Sequence, residues 1–140
     1  MLVVDAATRD AIVAHARHDH PDEACGMVAS ADGRPTRVIA MTNIARSPTF
    51  YEMDSMEVLR TLRDIEDAGE ELLAIYHSHT ATEAYPSRTD VSIAGFPEAH
   101  YIVVSTRAEE PEFRSFRIVD GRVSEEEVHF QPETTGPDGG

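Results

Sequence analysis

Tyr76-His77-Ser78-His79-Thr80-Ala81-Thr82-Glu83-Ala84-Tyr85-Pro86-Ser87-Arg88-Thr89-Asp90 follows directly on an apolar run that starts at Glu71. Glu71 to Tyr76 reads as a continuous buried strand. Residues two apart in an extended chain point to one side, so His77 and His79 at the strand's end can present two imidazoles to one metal ion. Asp90 lies a loop later, near a helix start expected at Ser87, and can return as a third ligand. Two nitrogens, one carboxylate oxygen and one open position are the make-up of a catalytic zinc site, whereas a structural zinc takes four protein ligands rich in cysteine. The chain has one cysteine, Cys25. A His-x-His pair is commonplace taken alone. His18-Asp19-His20 is a second one, at a helix end where cationic side chains complement the dipole, and with no loop returning an aspartate it reads as solvated.

Outward from this stretch, Leu2 to Val4 suits a short strand and Ala7 to His18 a helix, with Ile12, Val13 and Ala16 on one face. Ala24 to Ala29 and Thr36 to Met41, joined by the turn signal Asp32-Gly33, predict a hairpin. Asn43 to Pro48 reads as loop. Asp54 and Glu57 predict a capping box for a second helix carrying Val58, Leu59, Leu62 and Ile65, which ends at Gly69. His100 to Ser105 predicts a further strand, and Phe113 to Val119, Asp120-Gly121 and Val123 to Phe130 predict a second hairpin. Strands and helices mix without strict alternation. The reading is therefore a single α/β domain over residues 1–130, with a mixed, mostly antiparallel sheet flanked by helices. Residues 131–140 carry Pro, Thr, Gly and Asp without apolar anchors and are expected to be disordered.

Composition narrows the function. With 26 acidic against 12 basic residues and a formal net charge of −14, broad binding of phosphate backbones is disfavoured, so nucleic acid is not an expected partner. All the basic residues are arginine. The start lacks a basic segment followed by a long apolar run, and no run approaches membrane-spanning length, so a cytoplasmic protein with no membrane association is expected. Cys25 cannot form an intrachain disulfide, and between Ala24 and Gly26 it reads as a small buried hydrophobe rather than a nucleophile.

His77-Ser78-His79 followed by Pro86-Ser87 and Asp90 resembles the metal motif of the JAMM (MPN+) metalloproteases. Pro21-Asp22-Glu23-Ala24-Cys25-Gly26 is similar to the upstream segment that supplies that family's glutamate. The resemblance covers about residues 1 to 130 and implies a single JAMM/MPN domain with a cytidine-deaminase-like fold. It also implies one zinc ion with a bound water on His77, His79 and Asp90, with Glu23 as general base and proton shuttle. It makes Ser87 the hydroxyl that stabilises the oxyanion, although Ser87 also has the spacing of a helix N-cap with Asp90. Thr80 departs from the proline common at that position, with no ligand lost.

Within the family, the string His77 to Asp90 resembles the bacterial Mec branch. That implies an enzyme of cysteine biosynthesis that releases cysteine from the Gly-Gly-Cys end of a ubiquitin-like (ThiS/MoaD-type) sulfur carrier protein. The alternatives are a broader isopeptidase or C-terminal processor of other such carriers, and a non-catalytic MPN scaffold. A homodimer stays open. Arg46, Arg88 and Arg107 are candidates for contacts with an acidic carrier or a carboxylate; all three read equally well as plain surface residues, and for Arg46 and Arg107 the surface reading comes first.

Overall fold

β4 (Glu71–His79) runs through the middle of the sheet in the computed structural model, which describes residues 1–131. It pairs antiparallel with β2 (Cys25–Ala31) on one side and parallel with β5 (His100–Ser105) on the other. β3 (Arg34–Met41), β6 (Glu112–Val119) and β7 (Arg122–Glu126) complete a six-stranded sheet of order β3-β2-β4-β5-β6-β7. Every pairing in it except β4–β5 is antiparallel. This is the mixed, mostly antiparallel sheet expected. Both Asp-Gly turns form as read: Asp32 and Gly33, and Asp120 and Gly121, all have positive φ, as a two-residue type I′ hairpin requires.

Helices cover both faces. α1 (Ala6–Asp19) starts at Asp5, whose carboxylate accepts from the Thr8 amide at 2.8 Å. It buries Ile12, Val13 and Ala16 against Val28, Ala74, Tyr76, Ile102 and Val104. α2 (Ser55–Asp67) covers the other face, where Val58 and Leu62 pack against Met27, Met41, Ile75 and Tyr101. α3 (Arg88–Ile93) lies on that same side through Val91. Side chains alternate along β4, so Ala74 and Tyr76 face α1, whereas Ile75, and with it His77 and His79, face α2 and α3.

Three expectations need correction. Val123 to Phe130 is not one strand: β7 ends at Glu126, and β8 (Val128–Gln131) leaves the hairpin to pair in parallel with β1 (Leu2–Asp5) as a separate two-stranded sheet. β8 ends at Gln131; the disorder expected for the rest of the tail concerns residues outside those described. At α2, Asp54 does cap the helix by accepting from the Glu57 amide at 3.0 Å, but the Glu57 carboxylate accepts from the Thr42 amide at 3.0 Å instead of returning to Asp54. Leu59 is exposed, so the helix's buried stripe is narrower than its apolar pattern.

One close approach depends on glycine. Gly26 pairs with Tyr76 across β2 and β4, and a β-carbon on Gly26 would run into the Tyr76 ring and the Ile39 carbonyl. The ring cannot swing aside, because its hydroxyl lies 2.7 Å from His15 Nδ1 and the His15 Nε2 pairs with Asp19 at 3.1 Å. Overpacking of this kind costs about 2 kcal/mol or more. Gly26→Ala is expected to lower the melting temperature by ~5 °C or more by calorimetry; an unchanged melting temperature would show that the strand pair tolerates the added carbon.

Candidate metal centre

His77 Nε2, His79 Nε2 and Asp90 Oδ2 form a near-equilateral triangle with sides of 2.9, 3.0 and 3.1 Å. All three residues are buried. β4 sets the two rings on one face, and α3 delivers the carboxylate. The delivery is local: Ser87 is the N-cap of α3, its hydroxyl accepts from the Asp90 amide at 3.1 Å, and its own amide donates to Asp90 Oδ2 at 2.8 Å. This reciprocal capping box fixes the carboxylate rotamer. The cap expected for Ser87 and the placement of Asp90 are thus one structural feature.

The chemistry of the triangle calls for a cation. His79 Nδ1 lies 2.8 Å from the Glu83 carbonyl, which can only accept, so Nδ1 carries the hydrogen and the neutral ring turns its Nε2 lone pair inward. That lone pair meets a carboxylate oxygen and a second imidazole nitrogen. Three electron-rich atoms this close repel unless protons or a metal ion sit among them, and their spacing is near that of atoms bound at roughly 2.0–2.2 Å to one ion. Two further atoms at the site, His77 Nδ1 and Asp90 Oδ1, are buried without a hydrogen-bond partner. The residues therefore fit a divalent metal ion.

The electrostatics agree. Burial pushes the Asp90 carboxyl up, but the adjoining His77 and His79 imidazoles override it and hold the group far below the usual carboxylate range. Complete burial lowers the His77 pKa against the pull of Asp90. For His79 burial acts in the same sense, yet Asp90 and the Glu83 carbonyl together raise it.

Glu23 joins this group: one ligand-type atom from each of Glu23, His77, His79 and Asp90 lies within 4.8 Å of the others. Its carboxylate is buried, makes no direct bond to the triangle, and leaves Oε1 without a partner. The backbone around it is held tightly. The Glu23 amide donates to the Ser47 carbonyl at 2.9 Å, and Asn43 Nδ2 donates to the Glu23 carbonyl at 3.0 Å. Ser78, between the histidines, turns to the opposite face, where its hydroxyl accepts from the Ala24 amide at 2.8 Å. The residue separating the two ligands thereby ties β4 to the segment carrying the glutamate.

The other residues singled out by sequence separate cleanly. Cys25 is fully buried, and burial pushes its thiol up to about 12, so it is no nucleophile at neutral pH. The Thr80 hydroxyl donates to the Pro48 carbonyl at 3.4 Å, tying the loop after His79 to the loop after β3. His100 pairs with Glu126 at 2.6 Å and Arg107 with Glu112 at 2.7 Å. His18 is exposed, as read. Sequence reasoning missed Tyr51, whose ring stacks on His77 at 4.6 Å and 25°. It also missed Asn43, which accepts from the Ala45 and Glu52 amides while donating to the Glu23 and Phe50 carbonyls. A polar residue in a stretch read as loop gives no sign of such a role.

Known proteins share this arrangement of chain. Residues 5–119 match the family model described as prokaryotic homologs of the JAB domain. The chain is 60% identical over 132 residues to the CysO-cysteine peptidase of Mycobacterium tuberculosis, covering 92% of this chain and 90% of that protein. It is 37% identical over 111 residues to the desampylase of Haloferax volcanii, covering 74% and 80%. The solution structure of protein DSY2949 from Desulfitobacterium hafniense superposes with a TM-score of 0.85 at 33% identity, covering 95% of this chain and 94% of that one.

Burial above all, and the Asp90 charge, outweigh the nearby His79 and lift the Glu23 carboxyl from 4.5 to about 8 in the metal-free chain. The folded state therefore holds a proton that the unfolded chain has released, and stability falls as pH rises between those two values. Gln cannot titrate. In protein stripped of metal with a chelator, Glu23→Gln is expected to lose less thermal stability than the wild type between pH 5.5 and pH 9; parallel melting curves across that range would contradict the shift.

Proposed function

The chain belongs to the family of prokaryotic homologs of the JAB domain, and on that premise we propose that it is a zinc-dependent hydrolase releasing cysteine from the Gly-Gly-Cys end of a ubiquitin-like sulfur carrier. Peptidase chemistry follows from the family and from the named activity of its 60% identical relative. The observation that carries the proposal is the convergence of His77 Nε2, His79 Nε2 and Asp90 Oδ2 within 3.1 Å of one another, with an unpartnered Glu23 carboxylate beside them.

In this reading His77, His79 and Asp90 hold the zinc. A zinc ion so bound is a Lewis acid that brings a water molecule's pKa down to roughly 7 and polarises the substrate carbonyl. Glu23 takes a proton from the attacking water as the water oxygen bonds to the glycine carbonyl carbon. It then gives that proton to the departing nitrogen as the C–N bond breaks. Burial and a high carboxyl pKa suit a group that must hold a proton between the two transfers. Ser87 spends its amide and a lone pair on Asp90, and its hydroxyl hydrogen has no described acceptor; it donates to the oxyanion that forms on the carbonyl oxygen. Tyr51 covers one face of His77 and keeps water from that ligand.

A scaffold without activity would have no use for Glu23, the triangle and Ser87 together. The desampylase likeness supports a second reading, cleavage of carrier conjugates more broadly, which substrates with different tail residues separate from cysteine release. No helix among the described residues is long and apolar enough to cross a membrane. The proposal takes the enzyme to work in a reducing cytoplasm, in keeping with its buried free thiol, and it does not require a homodimer.

Mass spectrometry of a ThiS/MoaD-type carrier ending Gly-Gly-Cys is the test. The zinc-loaded protein is expected to remove one cysteine residue. Glu23→Gln should slow this by about 10²–10⁴-fold while retaining one zinc per chain, and Ser87→Ala by about 10²–10³-fold. An unchanged carrier mass with the zinc-loaded wild type refutes cysteine release, and a full rate in Glu23→Gln refutes the assigned base.

A further inference from the structure

The loop between His79 and Ser87 is pinned from β5. Ser105, the last residue of β5, lies opposite His79 in the parallel β4–β5 pairing and is completely buried. Its hydroxyl donates to the Thr82 carbonyl, and the neighbouring Thr106 amide donates to the His79 carbonyl at 3.0 Å. Two residues past Thr82, Ala84 is buried against Val103 of β5 and Phe116 of β6. Glu83 lies between these two anchors. Its carbonyl accepts from the Tyr85 amide at 2.8 Å as well as from His79 Nδ1. The oxygen that orients the ligand is therefore fixed on both sides by strands that lie far from it in sequence.

A second oxygen faces the same nitrogen. Thr82 Oγ1 lies 3.1 Å from His79 Nδ1, so the ring N–H that points at the Glu83 carbonyl is forked between a carbonyl and a hydroxyl, both able to accept. Both acceptors belong to the segment that Ser105 ties down. His77 is supported differently: its Nδ1 is buried without a hydrogen-bond partner, and its ring is braced by the stacked Tyr51. Among the described residues, hydrogen bonds to the outer nitrogen of an imidazole ligand are confined to His79.

A histidine ligand binds well only while its ring is held with the lone pair on the metal, and the groups that receive its other N–H do the holding. We propose that Ser105 and Thr82 are positioning residues of the metal centre: they keep His79 in its ligating orientation and so set how tightly the site retains zinc. Thr82 acts on the ring directly. Ser105 bonds no ligand side chain and acts through the loop, its single hydroxyl hydrogen going to the Thr82 carbonyl, so it has no donor left for a substrate. The inference rests on the zinc reading above and adds what keeps the metal in place.

Zinc affinity of the full chain, measured by competition with a chromophoric chelator, is the test. Ser105→Ala is expected to weaken zinc binding by about 10- to 100-fold. Thr82→Ala, at an exposed position, should shift the affinity in the same direction and carries the test if Ser105→Ala does not fold; Thr82→Ser keeps the oxygen and should restore the wild-type value. Ser115→Ala is the control. It removes an equally buried hydroxyl that donates to Glu126 at 2.8 Å and bonds no residue of the metal centre, so it should lower the melting temperature of metal-free protein without loosening zinc. Wild-type affinity in a folded Ser105→Ala or in Thr82→Ala overturns the role of that residue, and an equal loss in Ser115→Ala overturns both, with the hydrolase reading left standing. A wild type that binds no zinc removes the metal centre and the inference with it.

Discussion

Three electron-rich atoms held about 3 Å apart in a buried site are the constraint on which the rest of the molecule depends. Left to themselves an imidazole lone pair, a second imidazole and a carboxylate oxygen would separate. Here they cannot, because each is fixed by backbone that serves another purpose. The rings follow from the pleat of a central strand paired on both sides, and the carboxylate from a helix cap in which Ser87 and Asp90 bond each other. The Glu83 carbonyl sets the tautomer of His79. The fold opposes the mutual repulsion of these three atoms, and a bound cation would relieve it.

The same logic extends outward. Ser78 could have been any small residue between two ligands, yet its hydroxyl joins β4 to Ala24 and so sets the distance between the triangle and Glu23. Asn43 uses all its hydrogen-bonding capacity on four backbone groups, shaping one loop around the glutamate and holding Arg46 in a left-handed conformation. On the opposite face, Gly26, Tyr76 and His15 form a contact that bears no chemistry. It presses the strand before the ligands against α1 and keeps β4 in register. Three buried polar atoms without hydrogen-bond partners, Glu23 Oε1, His77 Nδ1 and Asp90 Oδ1, gather at this one site, an arrangement that costs stability.

What could be read from the sequence was local. Asp-Gly turns need two residues at positive φ, and both form where expected. His77 and His79 share a face because strands have a period of two, and Ser87 caps α3 because Ser and Asp three residues apart at a helix start can bond each other's backbone locally. What escaped was set by distant partners. The break at Glu127 cannot be seen in an alternating run; it exists because Val128 finds a parallel neighbour in Leu2, at the other end of the chain. Glu57 has the spacing of a capping box, but the Thr42 amide competes for its carboxylate. Tyr51 and His15 lie far in sequence from His77 and Tyr76 and have no periodic signature, and only the folded chain brings the rings together.

Crystallography of the zinc-loaded protein with anomalous data at the zinc absorption edge tests the central claim most directly. The account predicts one anomalous peak at roughly 2.0–2.2 Å from His77 Nε2, His79 Nε2 and Asp90 Oδ2, with Glu23 near the ion but outside direct coordination. A peak elsewhere, or a closed site in which Glu23 is a fourth protein ligand, would contradict it.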